Sequence, residues 1–139
     1  MKIVYQGSPG AYSHLAAKKI YPNYEFIPYN TFEDCFKHCN ENDEHKTIIP
    51  VENSIAGRVA DIQYLINKYK LQIYAEHFQE IKHNLMILKD NKLENVKSVR
   101  SHSQAISQCQ KLINSNKFEP IIAADTAGSA KYISCLLYT

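Results

Sequence analysis

The stretch Ile48-Ile49-Pro50-Val51-Glu52-Asn53-Ser54-Ile55-Ala56-Gly57-Arg58 decides the fold that we predict for this chain. The pattern over residues 47–51 predicts the end of a buried strand, and the pattern over residues 59–69 predicts an amphipathic helix. The connection between them carries small and polar residues: Glu52, Asn53, Ser54 and Gly57. In open α/β sheets, ligands bind beyond the carboxyl ends of strands, where helices begin. The stretch therefore predicts a ligand site, although an ordinary Asn/Ser cap is the simpler interpretation of this segment alone.

The residues that precede this stretch repeat the same pattern. Residues 2–6 predict a strand, which the turn Gly7-Ser8-Pro9-Gly10 joins to a helix from residue 11 to about 21. Within that helix we expect Leu15, Ala16 and Ile20 to face inward. A second strand over residues 24–28 is followed by a helix over residues 32–41, which Thr31 is placed to cap. This alternation of strand and helix indicates an α/β fold with a parallel sheet.

The pattern changes after residue 70. Alternating apolar residues predict strands over 71–81 and 85–88, where we expect the chain to cross from one lobe into another. A strand over 96–99, a helix over 103–115, a strand over 118–123 and a helix from 126 to about 137 follow. We therefore predict a first lobe over residues 1–80 and a second lobe over residues 81–139.

Composition excludes several classes of partner. The chain has 139 residues, 45% of them hydrophobic, and a net charge of only +2, which gives no reason to expect nucleic acid or an anionic membrane as partner. No apolar run approaches the roughly 20 residues of a membrane span. The N-terminus passes directly into a strand and leaves no room for a signal peptide, so we expect a cytoplasmic protein.

The cysteines and histidines of the predicted second helix offer a metal-site hypothesis. Cys35, His38, Cys39 and His45 are candidate zinc ligands of an interaction domain. However, no C-x-x-C pair accompanies them, and Cys35 and Cys39 share the apolar stripe of Phe32 and Phe36. Free thiols on a buried helix face are the simpler interpretation, and we expect no metal.

Two later stretches resemble the first in having polar residues where a helix begins. Ser101, Gln104 and Gln108 share one flank of the helix over 103–115, and Ser101 is placed to cap it. Asp125 is placed to cap the last helix, with Gly128 in its first turn. Helix N-termini favour anions. Reasoning from the residues therefore reaches a two-lobed binder of a small organic acid and does not name a reaction.

Four motifs together closely resemble the prephenate dehydratase catalytic domain. They are Gln6-Gly7-Ser8-Pro9-Gly10-Ala11-Tyr12-Ser13, Pro50-Val51-Glu52-Asn53-Ser54-Ile55-Ala56-Gly57, Ser101-His102-Ser103-Gln104-Ala105-Ile106-Ser107-Gln108-Cys109 and Asp125-Thr126-Ala127-Gly128-Ser129-Ala130. The resemblance implies a two-lobed fold like that of type II periplasmic binding proteins, with the active site between the lobes. It also implies conversion of prephenate to phenylpyruvate in phenylalanine biosynthesis, without metal or organic cofactor, by a possible homodimer.

The resemblance also implies roles for individual residues. Asn53, Ser101 and Gln108 match catalytic contacts of the family. Four further residues of this chain match substrate-binding positions of the family: Glu52, Ser54, Gln104 and Thr126. Amides and helix N-termini can hold a dicarboxylate, and a hydroxyl can deliver a proton to the leaving oxygen.

The sequence departs from the family pattern at two places. It has His102-Ser103-Gln104 where the family usually has His-Pro-Gln, a change that the first turn of a helix tolerates. The family domain also continues to a Thr-Arg-Phe motif, whose Thr is the presumed general acid, and no such motif occurs in this chain. We therefore expect a second lobe that is incomplete and little turnover by this chain. The alternatives are an arogenate dehydratase and a non-catalytic small-carboxylate binding module of the same fold.

Overall fold

A computed structural model describes residues 1–135 of the chain. The chain divides into two compact units, Met1–Glu80 and Ile81–Thr139. Each unit combines a parallel sheet with helices, so the predicted α/β class is confirmed. We describe the two units in turn.

The first unit is built on a three-stranded parallel sheet. Strand β1 (Lys2–Gln6) lies between β2 (Glu25–Tyr29) and β3 (Lys46–Ile48). Ile3 pairs with Phe26 on one side and with Lys46 on the other. Its three central residues, whose side chains alternate between the two faces of the sheet, are all buried: Ile3, Val4 and Tyr5.

Three helices complete the first unit: α1 (Tyr12–Ile20), α2 (Phe32–Glu41) and α3 (Ile62–Tyr69). The predicted cap of α2 is confirmed, since the Thr31 hydroxyl oxygen accepts a hydrogen bond from the Asp34 N–H at 3.1 Å. The predicted inner face of α1 is partly wrong. Ala16 and Ala17 are buried, whereas Leu15 and Ile20 are exposed, because the two small side chains are the ones that lie against the sheet.

The core of the first unit comprises two apolar clusters. Val4, Cys35 and Cys39 form one, and Phe36, Ile62 and Leu65 form the other. Burial raises the pKa of Cys35 to about 12 and that of Cys39 to about 11, which keeps both as neutral thiols. The two thiols pack in the apolar core, as the free-thiol interpretation predicts. Within residues 1–135 we find no group of three or more His, Cys, Asp or Glu side chains arranged to hold a metal ion.

The second unit contains a smaller sheet of two parallel strands. A 3₁₀ turn (Leu93–Asn95) leads to β6 (Ser98–Ser101), and β7 (Glu119–Ile122) pairs with it from Ser98↔Glu119 to Ser101↔Ile122. Helices α4 (Ser103–Gln108) and α5 (Gln110–Asn116) connect the strands, and α6 (Thr126–Cys135) follows β7. The single predicted helix over 103–115 is therefore two helices, because Cys109 leaves the helical region with φ −98° and ψ 9°. Residues 136 and 137 of the last predicted helix lie outside the described residues.

The strands predicted over residues 71–81 and 85–88 are wrong. Residues 71–92 contain no helix or strand. Alternating apolar residues make a segment suitable for a sheet, but a strand exists only when its N–H and C=O groups pair with a neighbouring strand. The segment expected to cross between the lobes thus has no regular secondary structure and no partner strand among the described residues.

No helix within residues 1–135 is long and apolar enough to cross a membrane.

Candidate active site

Residues 52–58 fold as a β-hairpin. Strand β3 ends at Ile48, and β4 (Glu52–Asn53) pairs antiparallel with β5 (Gly57–Arg58) before α3 begins at Ile62. The prediction of a strand that passes through one short turn into a helix at residue 59 is therefore wrong. Pro50 has no N–H to extend the ladder of β3. Gly57, with φ +79°, supplies the backbone conformation that the hairpin needs.

Asn53 closes this hairpin with its own side chain. Its carboxamide oxygen accepts hydrogen bonds from the N–H groups of Ile55 and Ala56, both at 2.9 Å. The carboxamide nitrogen makes no hydrogen bond to any residue within 1–135. Asn53 thus combines a structural acceptor with two N–H donors that are available to a ligand. Its neighbours Glu52 and Ser54 are exposed, and Glu52 lies opposite Arg58 in the hairpin.

The Gly7–Gly10 loop joins β1 to α1 and is held at both ends. The Gly7 N–H donates to the Tyr29 carbonyl oxygen at 2.9 Å, and the Gly10 N–H donates to His14 Nδ1 at 3.0 Å. The His14 ring stacks on Tyr5, with ring centroids 4.9 Å apart. Burial, followed by the charge of Lys18, lowers the pKa of His14 and favours the neutral ring that can accept this bond.

His14, which accepts the hydrogen bond from the Gly10 N–H, is not among the residues predicted from the sequence. The available signal was its position four residues after Gly10, one helical turn into α1. A side chain at that position can reach back to the N–H groups that precede the helix.

In the second unit, Ser101 lies at the carboxyl end of β6. Its hydroxyl oxygen is buried and has no hydrogen-bond partner within the described chain. The prediction that Ser101 caps the following helix is wrong, because His102 occupies that position and its Nδ1 accepts from the Gln104 N–H at 3.3 Å. A buried hydroxyl without a partner costs free energy, so Ser101 is a candidate for contact with a ligand.

Gln108 is the last residue of α4 and is half-buried. Its side-chain oxygen lies 3.0 Å from Nε2 of His83, a residue of the segment without secondary structure. Gln104, one turn earlier on the same helix, is exposed. The structure thus gives the two glutamines different surroundings, which the shared helix flank did not predict.

Thr126 is the exposed first residue of α6, next to a well-formed cap. The Asp125 carboxylate accepts a hydrogen bond from the Gly128 N–H, so the predicted cap is confirmed. A Cβ atom on Gly128 would lie 2.6 Å from this carboxylate, which explains why glycine suits the position.

The parallel pairing of β6 and β7 brings the predicted residues of the second unit to one edge of its sheet. The Ala123 N–H donates to the Ser101 carbonyl at 2.8 Å, so the two strands end side by side. The Arg100 guanidinium lies 4.6 Å from the centre of the Tyr132 ring and ties α6 to β6. Ser101, α4 and the start of α6 therefore share the carboxyl edge, where α/β sheets bind ligands.

The predicted site residues fall into two groups. Glu52, Asn53 and Ser54 belong to the hairpin of the first unit. The second unit carries the others: Ser101, Gln104, Gln108 and Thr126. That the two groups meet around one ligand stays a prediction. Two hollows of the second unit, beside Phe118, are lined by neither group.

Comparison with known proteins supplies the family. The sequence profile of prephenate dehydratase matches residues 3–136. The chain is 35% identical over 134 residues to arogenate dehydratase 2 of Petunia hybrida, covering 96% of this chain and 34% of that protein. It is 33% identical over 131 residues to the bifunctional N-acyl-homoserine lactone acylase/prephenate dehydratase of Komagataeibacter europaeus, covering 94% of this chain and 47% of that protein.

Solved structures show the same fold. The quorum-quenching acylase GqqA superposes with a TM-score of 0.87 and 32% identity, over 98% of this chain and 50% of that one. The prephenate dehydratase of Staphylococcus aureus subsp. aureus Mu50 gives a TM-score of 0.69 at 22% identity, over 96% of this chain and 51% of that one. The chain spans about a third to a half of the length of the relatives it matches. With its profile matched over residues 3–136, the chain belongs to the prephenate dehydratase family.

Proposed function

We propose that this chain carries the substrate-binding framework of a prephenate dehydratase. The observation that carries the proposal is the family match over residues 3–136, which includes all seven predicted site residues. In the reaction, the ring carboxylate of prephenate leaves as carbon dioxide, and its electron pair moves into the ring. The ring hydroxyl takes up one proton and leaves as water, and phenylpyruvate remains.

The proposed site residues suit a substrate with two carboxylates. Asn53 and Gln108 have carboxamide donors, and Ser101 has a hydroxyl that no described protein group engages. Neutral donors bind carboxylates with charge-assisted hydrogen bonds, and they add no fixed charge that would hold back an anionic product. We assign Glu52, Ser54, Gln104 and Thr126 to the periphery of the same site.

Binding and turnover are expected to differ in this chain. The general acid that the resemblance implies belongs to a Thr-Arg-Phe motif, which is not among these 139 residues. The residues of this chain therefore bind and orient the substrate. We expect the 139-residue chain to bind prephenate or phenylpyruvate weakly and to form phenylpyruvate slowly or not at all. Rapid phenylpyruvate formation by these 139 residues would show that the threonine of that motif is not required.

The decisive experiment is calorimetric titration of the chain with prephenate and phenylpyruvate, for the wild type and for Asn53→Asp. This substitution keeps the side-chain oxygen that accepts from Ile55 and Ala56, so the hairpin stays intact. It removes the two N–H donors and adds a negative charge. We expect affinity to fall by about 10- to 100-fold, the value of a hydrogen bond to a charged group.

Asn67→Asp is the matched control, because it makes the same chemical change on the exposed surface of α3. We expect it to leave the affinity unchanged. Absence of binding by the wild type, or an equal loss in both variants, would overturn the proposal.

Two other substrates belong in the same titration. Arogenate carries an amine where prephenate carries a keto group, and the Petunia relative bears its name. The Komagataeibacter europaeus relative is named as an N-acyl-homoserine lactone acylase as well as a prephenate dehydratase, and GqqA, with a TM-score of 0.87, is a quorum-quenching acylase. These similarities favour hydrolysis of N-acyl-homoserine lactones as a second candidate function. Fold similarity alone does not establish an activity, so release of homoserine lactone is the measurement that decides this candidate.

We also propose a homodimer and a cytoplasmic location. Light scattering of the purified chain and fractionation of cells that express it are the corresponding measurements.

A further inference from the structure

His83 makes a long-range contact to a proposed site residue. It is exposed and lies within residues 71–92, which contain no helix or strand. Its Nε2 atom is nevertheless 3.0 Å from Oε1 of Gln108, a residue 25 positions further along the chain. The Gln108 side chain makes no other hydrogen bond within residues 1–135. His83 is therefore the side chain that determines how this carboxamide is oriented.

The chemistry of the contact fixes the direction of the carboxamide. Oε1 of a glutamine only accepts hydrogen bonds, so Nε2 of His83 must carry the hydrogen that is donated. When Oε1 is engaged in this way, the amide nitrogen and both of its N–H donors point away from His83. Without such a partner a glutamine amide can rotate by half a turn and present its oxygen instead, which would repel a carboxylate.

We infer that His83 is a positioning residue, which holds the Gln108 carboxamide with its N–H donors directed toward a substrate carboxylate. The inference rests on the proposed function, and it adds a residue that none of the four motifs contains. It also gives a role to one residue of the segment over residues 71–92, which contains no helix or strand. His83 does not itself contact the reacting atoms in this assignment.

Two substitutions test the inference through the affinity for prephenate. His83→Phe keeps a ring but removes the donor, whereas His83→Gln places an amide N–H donor close to the position of Nε2. We expect His83→Phe to weaken binding about 3- to 10-fold, the value of one neutral hydrogen bond, and His83→Gln to restore most of it. His77→Phe, an exposed histidine of the same segment, is the matched control and should bind like the wild type.

A double-mutant cycle separates positioning from a general structural effect. In a Gln108→Ala background, His83→Phe should cause no further loss of affinity, because no carboxamide is left to orient. An equal loss in both backgrounds, or no loss in either, would overturn the inference.

Nuclear magnetic resonance of the ring nitrogens tests the contact without any substrate. We expect the neutral His83 ring to carry its hydrogen on Nε2, and His83→Phe to shift the side-chain amide signal of Gln108. A hydrogen on Nδ1 instead would make His83 the acceptor and would overturn the assignment. If the wild type binds neither prephenate nor phenylpyruvate, the proposed function fails, while these signals still decide the contact.

Discussion

The two units of this chain bury their sheets to very different degrees. In the first unit the central strand has three consecutive buried residues, and two apolar clusters pack beside it. In the second unit all four residues of β7 are exposed, and only three apolar side chains among the described residues are buried: Ala105, Ile113 and Phe118. Within the described residues, each strand of the second unit also has only one neighbouring strand, whereas β1 has two. The motifs therefore belong to two units that differ in how many apolar side chains they bury.

The largest effect should come from the core of the first unit. Phe36 is 3% exposed and packs with Ile62 and Leu65, so Phe36→Ala should lower the free energy of unfolding of that unit by about 3–5 kcal/mol. Ile122, on β7, is 60% exposed, and Ile122→Ala should cost less than about 1 kcal/mol. Urea titration followed by amide signals assigned to each unit is the measurement. Similar losses in the two variants would break the comparison.

A smaller effect is expected at the loop that leads into α1. Gly7 has φ +107°, and a Cβ there would lie 3.3 Å from that of Ala11, so Gly7→Ala should cost about 1–3 kcal/mol. Gly10→Ala separates backbone strain from side-chain contact, because Gly10 has φ +96° but open space around its Cβ position. If both variants lose the same stability, backbone strain is the cause. If only Gly7→Ala loses stability, the contact with Ala11 dominates.

The helix caps should behave alike in the two units. Thr31 caps α2 in the first unit, and Asp125 caps α6 in the second. Because a cap is a local interaction, Thr31→Ala and Asp125→Ala should each cost about 1 kcal/mol in their own unit. Hydrogen exchange of the first-turn amides measures both. A much larger loss at either cap would show that the difference between the units extends to local interactions.

The smallest effect should come from pH, and it belongs to the first unit. Burial, followed by the charge of Lys18, lowers the pKa of His14. Burial and then His45 lower that of His38, which also faces Glu41 and Lys2. The unfolded chain therefore binds protons more readily than the folded unit. Stability should be at its full value above the usual histidine pKa of 6.5 and fall as the pH drops below it.

Urea midpoints measured from pH 8 to pH 5 test this dependence. The variants His14→Gln and His38→Gln should each flatten the curve, and His77→Gln should not. A curve that rises toward low pH in the wild type would contradict the assignment.

The fold of the first unit followed from its sequence because its signals are local. The strand at residues 2–6 and the helix at residues 32–41 have strong apolar patterns, and Thr31 marks the start of α2. Residues 71–92 gave an equally clear alternation, yet they form no strand. Pairing depends on a partner elsewhere in the chain, and no property of the segment itself reveals whether that partner exists.

The surroundings of the candidate site residues differ from the predicted ones. Asn53 was expected near a helix start and instead closes a hairpin turn through its oxygen. Ser101 was expected to cap a helix that His102 caps. His83 is not among the predicted site residues, because it acts through a contact with Gln108 that only the folded chain creates. Hydrogen bonds between distant residues leave no periodic trace in a sequence.

The buried thiols of the first unit allow the opening of that unit to be measured by chemical modification. Cys35 and Cys39 lie in the core with pKa values of about 12 and 11, so an alkylating reagent cannot modify them until the unit opens. Cys135 is exposed and should be modified at once. The rate at which Cys35 and Cys39 are alkylated therefore reports how often the first unit opens, without any mutation.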